Sequence, residues 1–176
     1  MTDSTFDRCY PWVRELEGGN DDDPQDPGGR TSRGITQREY NAWCTSCGQP
    51  TGDVWHATED AIKSIYEGSY WHPWCNALPA GVDYVFFDEC VNAGPHEAAL
   101  VLQRALGVAA DGHIGVVTMT AVAAANPADL IGKMSDQRMA VYRAIVASHP
   151  RLSKFMRGWS NRVTFCKQKA LTLVSG

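Results

Sequence analysis

Residues 15–36, ELEGGNDDDPQDPGGRTSRGIT, constrain this chain more than any other stretch. An apolar-periodic segment carrying Trp12, Val13 and Leu16 runs into Glu17 and stops at Gly18 and Gly19, a pair that tolerates the positive φ of a helix C-cap. The first helix is expected over about Phe6 to Glu17. Beyond it, Asp23-Pro24, Asp26-Pro27 and Gly28-Gly29 are turn formers that exclude a long strand. At the far end, Thr36-Gln-Arg-Glu39 is a capping box, with Ile35 and Tyr40 placed as its hydrophobic staple. The acidic segment is thus a loop tethered between two helix ends, with a small hairpin expected over Arg30 to Ile35.

That arrangement suits acid–base chemistry. Glu17 lies where unpaired carbonyls of a last helical turn and the core-facing Val13 surround it, an environment suited to a carboxyl that delivers a proton. Asp26, on a loop dense in turn residues, suits the charged partner. Glycoside hydrolysis uses two carboxyls in such contrasting settings: one protonates the leaving oxygen, and the other activates water or stabilises the oxocarbenium-like state. The acidic run lacks the rest of an EF-hand pattern, so calcium is rejected.

The residues Glu17-Gly-Gly, Asp26-Pro-Gly-Gly, Thr31 and Gly34-Ile35-Thr36 resemble the phage endolysins and lysozymes of glycoside hydrolase family 108. The family's Glu-Gly-Gly-Tyr motif carries its catalytic acid, which the resemblance places at Glu17; Asn20 stands where the Tyr would be. The spacing Glu17-x8-Asp26-x4-Thr31 is also similar to the Glu/Asp/Thr triad of phage-type lysozymes, with the last gap one residue shorter. The resemblance implies Asp26 as base or electrostatic partner and Thr31 as the residue placing the water. Arg30, Tyr70 and Asn92 are the substrate-binding candidates. Further on, FDECVNAGPHEAALVLQRALG and VAADGHIG resemble the segment of the same endolysins described as a predicted peptidoglycan-binding domain.

What the resemblance implies is an α+β, predominantly α-helical, lysozyme-like hydrolase with a small β-hairpin at its active site, cleaving the β-1,4 link between N-acetylmuramic acid and N-acetylglucosamine. The expected division is a catalytic lobe over 1–78 and a helical lobe over 79–176, or one integrated lysozyme-like domain. The expected partner is bacterial peptidoglycan, met as a monomer, for host cell lysis by a bacteriophage. No cofactor and no metal are expected. The competing class is a non-catalytic wall-binding or interaction module on the same fold.

Size and charge agree with this. A chain of 176 residues buries one good core. Its net charge of −4 is not that of a nucleic-acid binder. Acids crowd the first third, whereas after Leu130 the bases Lys133, Arg138, Arg143, Arg151, Lys154, Arg157, Arg162, Lys167 and Lys169 face only Asp136. A solvated basic helix face is the plain explanation; weak contact with an anionic surface through the C-terminal helix is the sharper one. The N-terminus lacks a signal peptide, so synthesis in the cytoplasm and holin-type release to the wall are expected.

Other chemistries find less support. The histidines form no His-Glu-x-x-His pair for a zinc amidase, and there is no Gly-x-Ser-x-Gly elbow or phosphate loop. Cys9 and Cys166 fit apolar helical stripes. Cys44-x-x-Cys47 with His72-x-x-Cys75 offers zinc ligand types, but the aromatics Tyr70, Trp71 and Trp74 around the second pair suit a packed wall; loop thiols, or a disulfide formed after release, are expected. Asp88 and Glu89, in a segment apolar on most sides, are expected to be structural acids. Helices are further expected from Thr58, from Val82 to Asn92, from His96 to Leu106, from Val117 to Ala125, from Pro127 to Ser148 with a break near Gly132, and from Arg151 to Leu173.

Overall fold

The computed structural model describes residues 5–21, 30–72 and 74–174. Asp26 lies outside them. The chain divides into two compact units, Met1–His72 and Pro73–Gly176.

In the first unit, helix α1 (Thr5–Leu16) buries Phe6, Cys9, Tyr10 and Val13, spaced three and four apart. Strands β1 (Asn20–Asp21), β2 (Thr31–Ser32) and β3 (Ile35–Thr36) form a small antiparallel sheet in sequence order, pairing Asn20 with Ser32 and Ser32 with Ile35. Helix α2 (Gln37–Ser46) starts on the expected capping box: the Thr36 hydroxyl accepts from the Glu39 amide at 3.2 Å, and Glu39 Oε2 accepts from the Thr36 amide at 2.9 Å. Helix α3 (Glu59–Tyr66), capped by Thr58, continues into a π-type turn over Glu67–Trp71. Edge-to-face contacts of Tyr10 with Tyr66 (5.5 Å between centroids) and of Phe6 with Trp71 (5.4 Å) seal α1 onto this element.

The second unit is helical. Helix α4 (Val82–Ala93) is buried along its whole face from Val82 to Cys90 and packs against α5 (Pro95–Leu106), α7 (Pro127–Ser148) and α8 (Met156–Val174), while α6 (Val116–Ala124) packs on α5. Gly94 and Gly107 end α4 and α5. Two expectations are corrected. Helix α7 runs unbroken through Gly132: the roughly 1 kcal/mol that an interior glycine costs is offset by the Asn126 cap, Pro127 at the first position, and burial of Leu130, Ile131 and Met134. The last helix begins at Met156, not Arg151. Pro150–Phe155 forms 3-10 turns, in which the three-residue spacing of Leu152 and Phe155 is satisfied equally well. Its buried residues are Val163, Cys166, Ala170 and Leu173.

Asp88 and Glu89 are structural, as expected, and their partners come from the basic C-terminal third. Arg138, 1% exposed, donates to Asp88 at 2.7 Å and pairs with Glu89. Arg162 reaches Asp88 at 2.9 Å. Two of the bases counted toward a basic helix face are therefore spent inside the unit.

None of the six cysteines is in a disulfide. Cys44, expected as a loop thiol, sits instead on the buried side of α2, because its spacing follows that helix's apolar face; Cys75 is buried too and Cys47 is exposed. Among the described residues no group of three or more His, Cys, Asp or Glu is placed to hold a metal, and no helix is long and apolar enough to cross a membrane.

Candidate active site

Glu17 directly follows α1, which ends at Leu16, one residue short of the expected span, and its amide still donates to Val13 carbonyl at 3.1 Å. The glycines after it release the chain into β1, and Gly19 carbonyl accepts from the Arg33 amide at 3.0 Å, which ties the segment following Glu17 to the hairpin turn.

That turn is Arg33-Gly34, with φ of 52° and 81°. Positive φ at both central residues is what a two-residue hairpin with right-handed strand twist requires. For Arg33 this backbone is costly, and it is held from several sides. Its guanidinium donates to Glu59 at 3.0 Å, to Ala57 carbonyl at 2.5 Å and to the Ser32 hydroxyl at 3.2 Å, and its carbonyl accepts from the Tyr66 hydroxyl at 2.8 Å.

Gly34 brings the site together. A Cβ at this position would lie 3.0 Å from Glu17 Oε2 and 3.4 Å from Glu17 Cγ, and would overlap the Tyr66 hydroxyl. The Glu17 carboxyl thus lies directly on the backbone of the turn, with Tyr66 on the same spot. Burial, then the Glu17 charge, push the Tyr66 phenol well above its ordinary range, so its hydroxyl stays a donor to the turn. Tyr66 in turn contacts Tyr70, whose hydroxyl donates to Glu39 at 2.6 Å, and the other oxygen of Glu39 is the one that caps α2 at Thr36. Tyr66, Tyr70 and Glu39 therefore link the hairpin turn beside Glu17 to the start of α2.

The other candidates are placed as follows. Thr31, on β2, pairs across the sheet with Thr36 and Asp21, and its carbonyl accepts from the Trp55 indole at 3.1 Å. Arg30 forms an ion pair with Asp53 and stacks its guanidinium 4.2 Å above the Trp55 ring. Asn92 belongs to the second unit, where its side chain donates to the Tyr142 hydroxyl at 2.8 Å. Tyr66 was legible only as core, and Gly34 only as part of a motif. The available signal was the Tyr66-x3-Tyr70 pair, since a buried tyrosine needs a partner for its hydroxyl.

Gly34→Ala is expected to destabilise the first unit by about 1–3 kcal/mol, from the positive φ and the overlap with Tyr66. Turnover should fall at least about tenfold as Glu17 is displaced. Urea unfolding with a peptidoglycan clearing assay checks both; an unchanged rate would mean that the carboxyl does not depend on this contact.

This hairpin and acid lie in a region, residues 10–94, that matches the family model of glycosyl hydrolase 108. A solved structure of SagA from Brucella abortus is 34% identical, with 98% of this chain and 97% of that chain covered and a TM-score of 0.81. The chain belongs to glycosyl hydrolase family 108. It is a glycoside hydrolase with a lysozyme-like fold. Residues 97–164 match a model described as a predicted peptidoglycan domain, which makes peptidoglycan the partner of this family 108 hydrolase. A comparison with curated proteins finds no match. The family 108 match runs on through α4, whereas the compact units divide after His72; the expected lobe boundary at Leu78 falls between these two limits.

Proposed function

We propose that the chain is an N-acetylmuramidase that uses Glu17 as general acid. The observation that carries this is the Glu17 carboxyl seated on the Arg33-Gly34 turn, with the buried Tyr66 hydroxyl beside it. Glu17 protonates the glycosidic oxygen between N-acetylmuramic acid and N-acetylglucosamine, and the C–O bond breaks with positive charge spreading over the ring oxygen and C1. Asp26 removes a proton from the incoming water or stabilises that charge electrostatically, and Thr31 places the water. Attack from the opposite face inverts the anomeric centre and requires carboxyls far enough apart to admit water, about 6.5–9.5 Å. Tyr70 and Arg30 border the hairpin as substrate contacts.

The biological setting we infer is phage lysis: a monomer synthesised in the cytoplasm reaches the wall through holin-type release. Mass spectrometry of muropeptides released from purified sacculi, after reduction of the new ends, tests the bond. Reduced N-acetylmuramic acid at the ends is expected. Reduced N-acetylglucosamine would make the protein a glucosaminidase, and new peptide termini would exclude both.

A further inference from the structure

The second unit contains a cavity of about 360 Å³ that no step of the proposed hydrolysis uses. Its lining includes Trp74, His96, Ala99, Gly112, His113 and Ile114. We propose that it is a second saccharide subsite, taking an N-acetylated sugar unit of the wall glycan apart from the bond being cleaved. The proposal rests on peptidoglycan being the partner and not on the role of Glu17.

The cavity is built on a rigid frame. Gln103, 1% exposed on α5, is the hub of the loop Asp111-Gly112-His113: its amide nitrogen donates to Asp111 Oδ1 at 2.8 Å, to His113 carbonyl at 3.0 Å and to the Thr118 hydroxyl at 3.2 Å. Its amide oxygen accepts from the Gly112 amide at 2.9 Å. Asp111 also accepts from the His113 amide at 2.9 Å. Gln103 thus holds the loop at three points and α6 at a fourth, and His113 of that loop lines the cavity.

Against the loop stands His96, in the first turn of α5. Gly112 has φ +76°, and a Cβ there would run into the His96 ring, so the glycine lets the loop close onto that imidazole. Trp74 is anchored from behind by Phe86, 6.3 Å between centroids. Replacing His96 or His113, both exposed, removes no core.

The chemistry of the lining selects the ligand. Among the described residues no carboxylate, ammonium or guanidinium lines the cavity. A charged stem peptide would find no counter-charge. A pyranose fits: its face of C–H bonds packs on an indole, and its hydroxyl and acetamido groups exchange hydrogen bonds with imidazole nitrogens. The volume is near the lower end of ligand pockets, about 300–1,000 Å³, which suits one or two sugar units rather than an extended strand.

The test uses the full chain carrying Glu17→Gln, so that binding is read without turnover. It is titrated by NMR with the β-1,4 tetramer of N-acetylglucosamine and, separately, with cellotetraose, which lacks acetamido groups. Saturable shifts of the Trp74 indole N–H and the His113 amide are expected with the first sugar and not the second. His113→Ala should weaken this site about tenfold, the scale of one ordinary hydrogen bond, and His113→Gln should restore most of it. Shifts confined to the first unit, an equal response to cellotetraose, or unchanged affinity in His113→Ala and Trp74→Ala would each overturn the proposal. Loss of hydrolysis in the unsubstituted chain, with this binding retained, would instead count against the muramidase assignment alone.

Discussion

Replacing Glu17 with Gln is expected to cut release of reducing ends from purified peptidoglycan by about a hundredfold to ten-thousandfold, the range over which a positioned proton donor contributes. The substitution keeps the shape of the side chain and its place on the Arg33-Gly34 turn, and removes only the proton that the proposed mechanism gives to the leaving oxygen. Thermal unfolding of the variant should therefore match that of the unsubstituted chain. Reducing-end assays on sacculi, with a melting curve as control, measure both. A large loss of activity accompanied by a large loss of stability would make Glu17 structural.

The second large effect lies in the second unit and is one of stability. Arg138→Met leaves the buried Glu89 without its guanidinium and the buried Asp88 with the half-buried Arg162 only. Breaking a buried pair on one side costs about 3–5 kcal/mol, because the remaining charge is neither solvated nor matched. Urea titration at pH 7 should show this as a lower midpoint.

The loss should also depend on pH. Burial alone would raise the Asp88 carboxyl, but Arg138 and Arg162 hold it below its ordinary value. Its stabilising contribution is present above the unfolded carboxyl range, near pH 4, and disappears as pH falls through the folded value. Glu89 runs the other way: burial outweighs Arg138 and, with Asp88 adding to it, raises its carboxyl, so ionisation costs stability as pH rises. Removing Arg138 pushes both carboxyls up. The deficit of the variant should thus be larger at pH 7 than near pH 4, where both can be neutral; a deficit that does not change with pH would mean that lost packing dominates.

Much of the frame of the candidate site was legible because its determinants are local. α1 stops just before Gly18-Gly19, although neither glycine takes the positive φ of the expected C-cap, the Thr36–Glu39 box starts α2, and the hairpin between them follows from turn chemistry over a few residues. What stayed hidden depends on partners far apart in sequence. Tyr66 looks like one more apolar-stripe residue until Arg33, 33 positions away, supplies a carbonyl for its hydroxyl. Arg138 and Arg162 look like a basic face until Asp88, 50 and 74 positions away, draws them inside. Gly132 suggested a break because propensity counts only the residue's own cost, whereas burial of its neighbours decides. The polar hub at Gln103 was invisible for the same reason, since an uncharged amide in an apolar helix gives no signal of the four atoms it holds.

The central claim is that Glu17 delivers the proton to the leaving group. It is tested most directly by comparing the Glu17→Gln variant on two substrates: peptidoglycan, whose sugar leaving group needs protonation, and an aryl β-glycoside of the same muramyl sugar, whose phenolate leaves without it. A deep loss on peptidoglycan with activity largely kept on the aryl glycoside is the predicted result. Equal loss on both substrates, or normal turnover of peptidoglycan, would contradict it.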